Sequence, residues 1–138
     1  MKSKVARYVL LFLVGGFLYC TIEIIARGYS HISMLIAGGL AFVLIGRINS
    51  IRKDMSLIGQ MFLSMIIITV IEFGMGLIVN VWLGLNVWDY SYRPYNFMGQ
   101  ICLLYMNLWF FLSAFAIILD DYIRYKIMGE EKPKYKIL

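Results

Sequence analysis

The sequence is poor in charge, proline, histidine and cysteine, and these shortages exclude several classes of protein. Of its 138 residues, 15% are charged and 62% are hydrophobic, whereas a soluble domain is charged at about a quarter of its positions. One histidine and two cysteines, both cysteines within apolar runs, predict neither a metal site nor a disulfide framework. The sequence has no Walker-type phosphate loop, so the chain does not hydrolyse ATP by that route. We expect no metal and no cofactor.

The sequence is rich in long apolar runs, and a helix of about 20 such residues crosses a bilayer. We predict an all-α membrane protein with four transmembrane helices, at about residues 7–26, 30–48, 55–82 and 97–121. Residues 85–97 would form an external loop and residues 124–138 a basic cytoplasmic tail. Short connections predict two helical hairpins within a single integral membrane domain, residues 1–138.

The distribution of Lys and Arg predicts the orientation of the helices. Of the 13 basic residues, all except Arg27 and Arg93 lie in the N-terminal segment, the middle loop or the tail. Basic residues are retained on the cytoplasmic side during insertion, which predicts that both termini are cytoplasmic. We expect Asp120 and Asp121 to be solvated at this inner surface. The basic face accounts for the net charge of +5 without nucleic acid and could bind anionic lipid or an acidic protein.

Helices 1 and 3 carry related short sequences, Thr21-Ile22-Glu23 and Val70-Ile71-Glu72. Both helices would enter the membrane from the cytoplasmic side, so the similarity suggests a parallel internal repeat of the kind found in transporters. The matched positions are few, and chance similarity is the competing explanation.

Glu23 and Glu72 are the ionisable residues within predicted spans that most need an explanation, because a charge there is costly and usually faces protein or water. A helical rise of about 1.5 Å per residue places both in the outer half of the bilayer. One interpretation is a shared substrate or proton site. The other is a structural network in which Arg27 pairs with Glu23, four residues earlier, and Arg93 pairs with Glu72 or Asp89. Three amide side chains could join either network: Asn80, Gln100 and Asn107.

The external segment is crowded with aromatic residues. An aromatic belt at the headgroup level is the simplest explanation. Polar residues between the rings favour a cap over the two glutamates instead. The residues of this cap would be Trp88, Asp89, Tyr90, Ser91 and Asn96.

The stretch from Glu72 to Cys102 includes Trp88-Asp89-Tyr90-Ser91, then Asn96 and Gly99-Gln100-Ile101-Cys102. Together with Glu23 in the first helix, this spacing resembles the bacterial ABC-transporter type IV permeases, the CmpB-like membrane proteins. The resemblance implies a multi-pass protein of the bacterial cytoplasmic (inner) membrane with a permease-like role. The sequence departs from that family at Gly16-Phe17, where the family has a Gly-Trp pair.

Our leading hypothesis is a transport component with a polar site in the outer half of the bilayer. Four short helices would enclose little volume, so we expect a homodimer, together with a separate ATPase or another cytoplasmic protein. The alternative is a scaffold or regulator that binds a protein partner through its basic face. A membrane enzyme acting on lipid headgroups ranks last, because no nucleophile and base pair stands out. The predicted site comprises Glu23, Glu72, Trp88, Asp89, Tyr90, Ser91, Asn96 and Gln100, supported by Arg27, Asn80, Arg93, Cys102 and Asn107.

Overall fold

The computed structural model describes residues 4–51 and 55–129, and within these ranges the chain is helical apart from its connections. The basic residues Lys2, Arg52, Lys53, Lys132, Lys134 and Lys136, on which part of the predicted orientation depends, lie outside the described residues. The elements in chain order are α1 (Lys4–Arg27), α2 (Ile32–Ile51), α3 (Leu57–Gly76) with a π-helical extension (Leu77–Trp82), β1 (Asn96–Phe97), β2 (Ile101–Cys102) and α4 (Leu103–Lys126).

Three of the helices are long and apolar enough to cross a membrane: Lys4–Arg27, Leu57–Trp82 and Leu103–Lys126. The apolar part of α2, Ile32–Ile48, is shorter. Helices suit the bilayer interior because the backbone groups of a helix form hydrogen bonds with one another, whereas lipid tails offer them no partners. Many of their large apolar side chains are exposed on the outside of the bundle, including Phe17, Val70 and Phe111. The structure therefore supports membrane residence and an all-helical fold.

Glycines bring α1 and α2 into close contact. A Cβ added at Gly16 would lie 2.6 Å from the Leu35 carbonyl oxygen, and one added at Gly39 would lie 2.7 Å from the Phe12 carbonyl oxygen. Only glycine permits backbones to approach this closely, which is the packing favoured between membrane helices. Gly74 of α3 differs, because it faces open space.

Helix α2 lies at the centre of the bundle, where it packs against α1, α3 and α4, whereas α1 packs mainly against α2. At one end of the bundle the Asp120 carboxylate of α4 packs against Gly46 of α2. Asp120 is 0% exposed and accepts a 3.0 Å hydrogen bond from Arg124 Nε. The expectation that Asp120 is solvated is therefore wrong, because the glycine leaves room for its carboxylate inside the bundle.

The connection from α3 to α4 is more structured than expected. Helix α4 begins at Leu103 rather than near residue 97, because Asn96–Phe97 and Ile101–Cys102 pair as antiparallel strands. The turn between them uses positive φ angles at Met98 (55°) and Gly99 (72°), which prevent a helix from continuing through this segment. This small hairpin holds the external loop against the ends of α3 and α4.

Candidate polar site around Glu72

Glu72 of α3 is the centre of a buried polar cluster. Its side chain is 6% exposed. One carboxylate oxygen accepts a hydrogen bond from the Tyr90 hydroxyl at 3.3 Å, and the other accepts one from Trp109 Nε1 at 3.4 Å. Among residues 4–51 and 55–129, no Lys, Arg or His side chain forms an ion pair with this carboxylate. Glu72 is thus held by neutral donors from the external loop and from α4.

Glu23 of α1 has a different partner. Its carboxylate forms a 2.6 Å ion pair with Arg27 Nε, one turn further along the helix. The Glu23 side chain is 13% exposed and that of Arg27 is 26% exposed. This is the pairing that the four-residue spacing favours. Glu23 is therefore charge-compensated within its own helix.

The two glutamates belong to one electrostatic cluster. The Glu23 carboxylate interacts electrostatically with that of Glu72, and both carboxylates interact with Tyr19 of α1. The Tyr19 ring meets the Trp109 ring edge-on, with centroids 5.6 Å apart, and so joins α1 to α4.

The external loop is fastened to both sides of the cluster through the peptide groups around Val87. Arg27 Nη1 donates to the Val87 carbonyl oxygen at 3.1 Å, and Asn80 Oδ1 accepts from the Val87 amide at 2.6 Å. Asn80 Oδ1 also accepts from the Trp88 amide at 3.3 Å, while Asn80 Nδ2 donates to Gln100 Oε1 at 2.8 Å. Arg27 and Asn80 thus tie the loop to α1 and to the π-helical extension of α3.

Trp88 and Gln100 fit against α3 because position 76 is a glycine. A Cβ on Gly76 would lie 2.5 Å from Gln100 Oε1 and 3.1 Å from Trp88 Cζ2. Trp88 is buried, and its Nε1 donates to the Gln100 carbonyl oxygen at 2.9 Å. These contacts make Asn80 and Gln100, two of the three amide residues expected to join a polar network, part of a packed structure.

Asp89, Ser91 and Asn96 form turns on the solvent side of the loop. Asp89 Oδ1 accepts hydrogen bonds from the Ser91 amide, at 2.9 Å, and from the Ser91 hydroxyl. These bonds stabilise the charged carboxylate and lower the pKa of Asp89. Asn96 donates to the Arg93 carbonyl oxygen at 2.8 Å and accepts from the Gly99 amide at 3.0 Å. The hydrogen bonds of these three residues shape the loop, and Glu72 is held by other side chains.

Tyr90 connects that loop to Glu72. Burial, followed by the nearby Glu72 carboxylate, raises the pKa of Tyr90 well above its ordinary value, so its hydroxyl keeps its proton and donates it. Its ring stacks on Tyr105 with centroids 4.9 Å apart. The guanidinium of Arg93 lies 5.8 Å from the centroid of the same Tyr105 ring.

Two of the supporting residues, Arg93 and Asn107, have other surroundings than the network hypothesis assumed. Within the described ranges, Arg93 forms no ion pair with Glu72 or Asp89 and instead lies over the Tyr92 and Tyr105 rings. Cys102 is buried in β2. Asn107 is exposed on α4, away from the Asn80–Gln100 pair.

The structure also adds Tyr19, Tyr105 and Trp109 to the residues predicted from the sequence. Tyr19 could have been found, because it lies four residues before Glu23 and therefore on the same face of α1. Trp109 is 37 positions from Glu72 in an apolar helix, and nothing in its local sequence indicates that it donates to a carboxylate.

A cleft of about 580 Å³, which we call the lateral cleft, leads away from Glu72 along the bundle. It is lined by all four helices and by Trp88, and its walls are almost entirely apolar. Leu18 and Ile22 of α1 on one side, and Phe115 and Leu119 of α4 on the other, are exposed beside it. The cleft is larger than we expected four short helices to enclose.

A cluster of three or more His, Cys, Asp or Glu side chains that could hold a metal is absent from the part of the chain that the structure describes. His31 lies at the start of α2, where its Nδ1 is 2.8 Å from the Ser33 hydroxyl and 3.1 Å from the Ser33 amide nitrogen. The described side chains at this end of the bundle supply carboxylates, phenols, indoles and amides, together with the Arg27 guanidinium and the His31 imidazole.

Comparison with known proteins gives one family. The family model described as "Putative ABC-transporter type IV" matches residues 10–136, which include α2, α3, α4, the external loop and all of α1 except its first turns. No solved structure matches the chain.

Proposed function

The chain belongs to this ABC-transporter type IV family, and from that membership we propose that it is the membrane-spanning component of a transport system. Its substrate site would be the buried carboxylate of Glu72 at the outer end of the lateral cleft, beneath the loop that carries Trp88 and Tyr90. The observation that carries this proposal is the burial of Glu72 without a basic partner in residues 4–51 and 55–129. An intramembrane carboxylate in such a setting commonly marks a substrate or proton pathway.

The structural alternative explains Glu23 better than Glu72. Glu23 is neutralised by Arg27, which in turn holds the Val87 carbonyl, so a role in packing is sufficient for that pair. Glu72 receives two long hydrogen bonds, at 3.3 and 3.4 Å, which are weak compensation for burying a carboxyl group. We therefore propose Glu72 as the substrate group and Glu23 with Arg27 as its structural support. The family match favours this transport role over a scaffold.

We also propose an orientation with both termini in the cytoplasm and the helices arranged as two hairpins. The Tyr8 hydroxyl of α1 accepts a 3.0 Å hydrogen bond from Arg47 of α2, and Asp120 of α4 lies against Gly46 of α2. The basic residues near these contacts in α1, α2 and α4 therefore lie at the same end of the bundle. The positive-inside rule would place that end in the cytoplasm of a bacterial inner membrane. The Tyr92→Cys variant should react at its new thiol with an impermeant maleimide in intact cells, whereas the Lys126→Cys variant should react there only after permeabilisation. The reverse pattern would overturn this orientation.

A separate ATPase subunit would drive transport, because the sequence has no Walker-type loop. Native mass spectrometry of the tagged chain, gently extracted from its own host, should show an ATPase subunit in the same assembly. The same spectrum counts the copies of the chain and so tests the predicted homodimer. An assembly that repeatedly lacks any ATPase would contradict the ABC-type role.

A second experiment tests the site while the substrate is still unidentified. Host cells lacking the gene are complemented with the wild type, Glu72→Gln or Thr69→Val, and the compounds accumulated in cells and medium are compared by mass spectrometry. Thr69 is a buried residue of the same helix that does not line the cleft, so its shape-conserving variant is the matched control. We expect Thr69→Val to match the wild type and Glu72→Gln to match the deletion strain. Equal profiles for the two variants would overturn the site.

A further inference from the structure

The lateral cleft has the size and lining of a small-molecule site. Its volume of about 580 Å³ falls within the range of about 300–1,000 Å³ that is typical of ligand pockets. Side chains such as Ile45, Ile68, Leu112 and Ala116 form an apolar lining along most of its length. A ligand that fills the cleft must therefore be mostly hydrophobic.

The exposed side chains among those that line the cleft belong to α1 and α4, which indicates that it opens sideways between these two helices. The two helices that border this opening have only limited backbone contact across it, because α1 packs mainly against α2. Leu18 is 43% exposed and Phe115 is 72% exposed at its edges. In a bilayer these side chains would meet lipid tails, so a hydrophobic ligand could enter from the membrane itself.

One end of the cleft carries a negative group that lacks a positive partner. The Glu72 carboxylate lines the cleft, and no basic side chain forms an ion pair with it in the part of the chain that the structure describes. The Arg27 guanidinium, which belongs to the same cluster, is already paired with Glu23 at 2.6 Å. A ligand with one positive charge would complete the missing pair at Glu72, and the low dielectric of a buried site strengthens the attraction between the two charges.

Aromatic rings surround the same end of the cleft. Tyr19, Trp88 and Trp109 line it beside Glu72, and the Tyr19 and Trp109 rings are in edge-on contact. The faces of tyrosine and tryptophan rings attract cations, most strongly where water is excluded. A carboxylate flanked by such rings is suited to an onium group, meaning a protonated or quaternary amine or a phosphonium.

We propose that the lateral cleft binds lipophilic organic monocations, with the apolar body between the helices and the charged group at Glu72. The inference rests on the proposed function, since it names the substrate class of that same site. A neutral hydrophobic molecule would use the apolar walls alone, and an anion would be repelled by the glutamate. A membrane phospholipid seated in the cleft is the competing occupant.

The test is equilibrium binding of radiolabelled tetraphenylphosphonium to the purified full chain in nanodiscs. We expect saturable binding by the wild type and Thr69→Val, and binding at least about tenfold weaker by Glu72→Gln, a change of about 1.4 kcal/mol. Glu72→Asp keeps the charge and should bind more tightly than Glu72→Gln. Neutral triphenylphosphine oxide should bind the wild type and Glu72→Gln alike.

A further variant keeps the test decisive if Glu72→Gln does not fold. Ala116→Leu narrows the apolar part of the cleft without touching Glu72, and it should weaken tetraphenylphosphonium binding. Absence of saturable binding by the wild type, or equal binding by Glu72→Gln or Ala116→Leu, would overturn the inference. So would a bound phospholipid that tetraphenylphosphonium does not displace.

The binding test of the ligand class and the cellular test of the transport role can fail independently. If tetraphenylphosphonium does not bind but Glu72→Gln still changes the compounds that cells accumulate, the ligand class is wrong and the transport site stands. If tetraphenylphosphonium binds as expected but the accumulated compounds do not change, the transport role fails.

Discussion

Glu23 and Glu72 occupy similar places in the sequence, each near the C-terminal end of an apolar helix, but their surroundings in the folded protein are opposite. Glu23 has a full positive charge 2.6 Å away and remains partly exposed. Glu72 is 6% exposed and has a phenol and an indole as donors. The difference shows that two carboxylates at similar places in the sequence can have unlike partners, a guanidinium for Glu23 and neutral donors for Glu72.

The external loop is fastened on both sides of this pair, by Asn80 on the Glu72 side and by Arg27 on the Glu23 side. Both residues bind the peptide groups of Val87, one through the amide and the other through the carbonyl. Substitutions at Asn80 and Arg27 therefore compare how much the two sides of the cluster contribute to stability.

The largest effect on stability should come from Asn80→Ala. The substitution removes three hydrogen bonds, to Gln100, Val87 and Trp88, and leaves their groups without partners, so the free energy of unfolding should fall by about 2–3 kcal/mol. Reversible unfolding in mixed micelles measures this value. Asn107→Ala removes an exposed asparagine from α4 and is the matched control, with an expected change within about 0.5 kcal/mol. Equal losses for the two variants would show that Asn80 does not hold the loop.

A smaller effect is expected on the Glu23 side. Arg27→Ala removes the ion pair and the bond to the Val87 carbonyl, and because Arg27 is partly exposed the loss should be about 1 kcal/mol. Arg27→Lys keeps the positive charge but lacks the planar guanidinium that reaches both partners. Its free energy of unfolding should therefore lie between those of the wild type and Arg27→Ala. A loss for Arg27→Ala that exceeds the loss for Asn80→Ala would reverse the order of the two sides.

The smallest effect should follow Tyr90→Phe. The change removes the 3.3 Å hydrogen bond to Glu72 and keeps the stacked ring, so we expect a loss of about 0.5–1 kcal/mol in unfolding free energy. Tyr92→Phe, at a loop position that is 72% exposed, should leave this energy unchanged. A stable Tyr90→Phe protein that behaves like Tyr92→Phe would mean that the Tyr90 hydroxyl contributes nothing at Glu72.

Much of the architecture could be predicted from the sequence, because apolar runs and interrupting charges determine which segments enter a bilayer. The short pattern around Trp88 and Tyr90 also identified the family, and the amide pair of Asn80 and Gln100 was predicted as part of a polar network. The strand pairing at Asn96–Phe97 was missed because it depends on a turn with positive φ angles, which the apolar pattern does not reveal.

The unpredicted parts of the site depend on contacts between segments that are distant in the chain. The donation from Trp109 to Glu72 requires α4 to pack beside α3, and the burial of Asp120 requires a glycine on α2 at the matching height. Neither requirement is visible in the residues next to Trp109 or Asp120. The homodimer, the parallel repeat and the roles of the individual site residues stay predictions.

The measurement that tests the central claim most directly is a comparison of Glu72→Gln with Glu23→Gln in host cells that lack the wild-type gene, with the accumulated compounds identified by mass spectrometry and the amount of each protein determined by immunoblot. If Glu72 is the substrate group, its variant should be present in the membrane yet give the profile of the deletion strain. Glu23→Gln should keep the wild-type profile, reduced only in proportion to its amount. Loss of the profile with Glu23→Gln, or its retention with Glu72→Gln, would contradict the account.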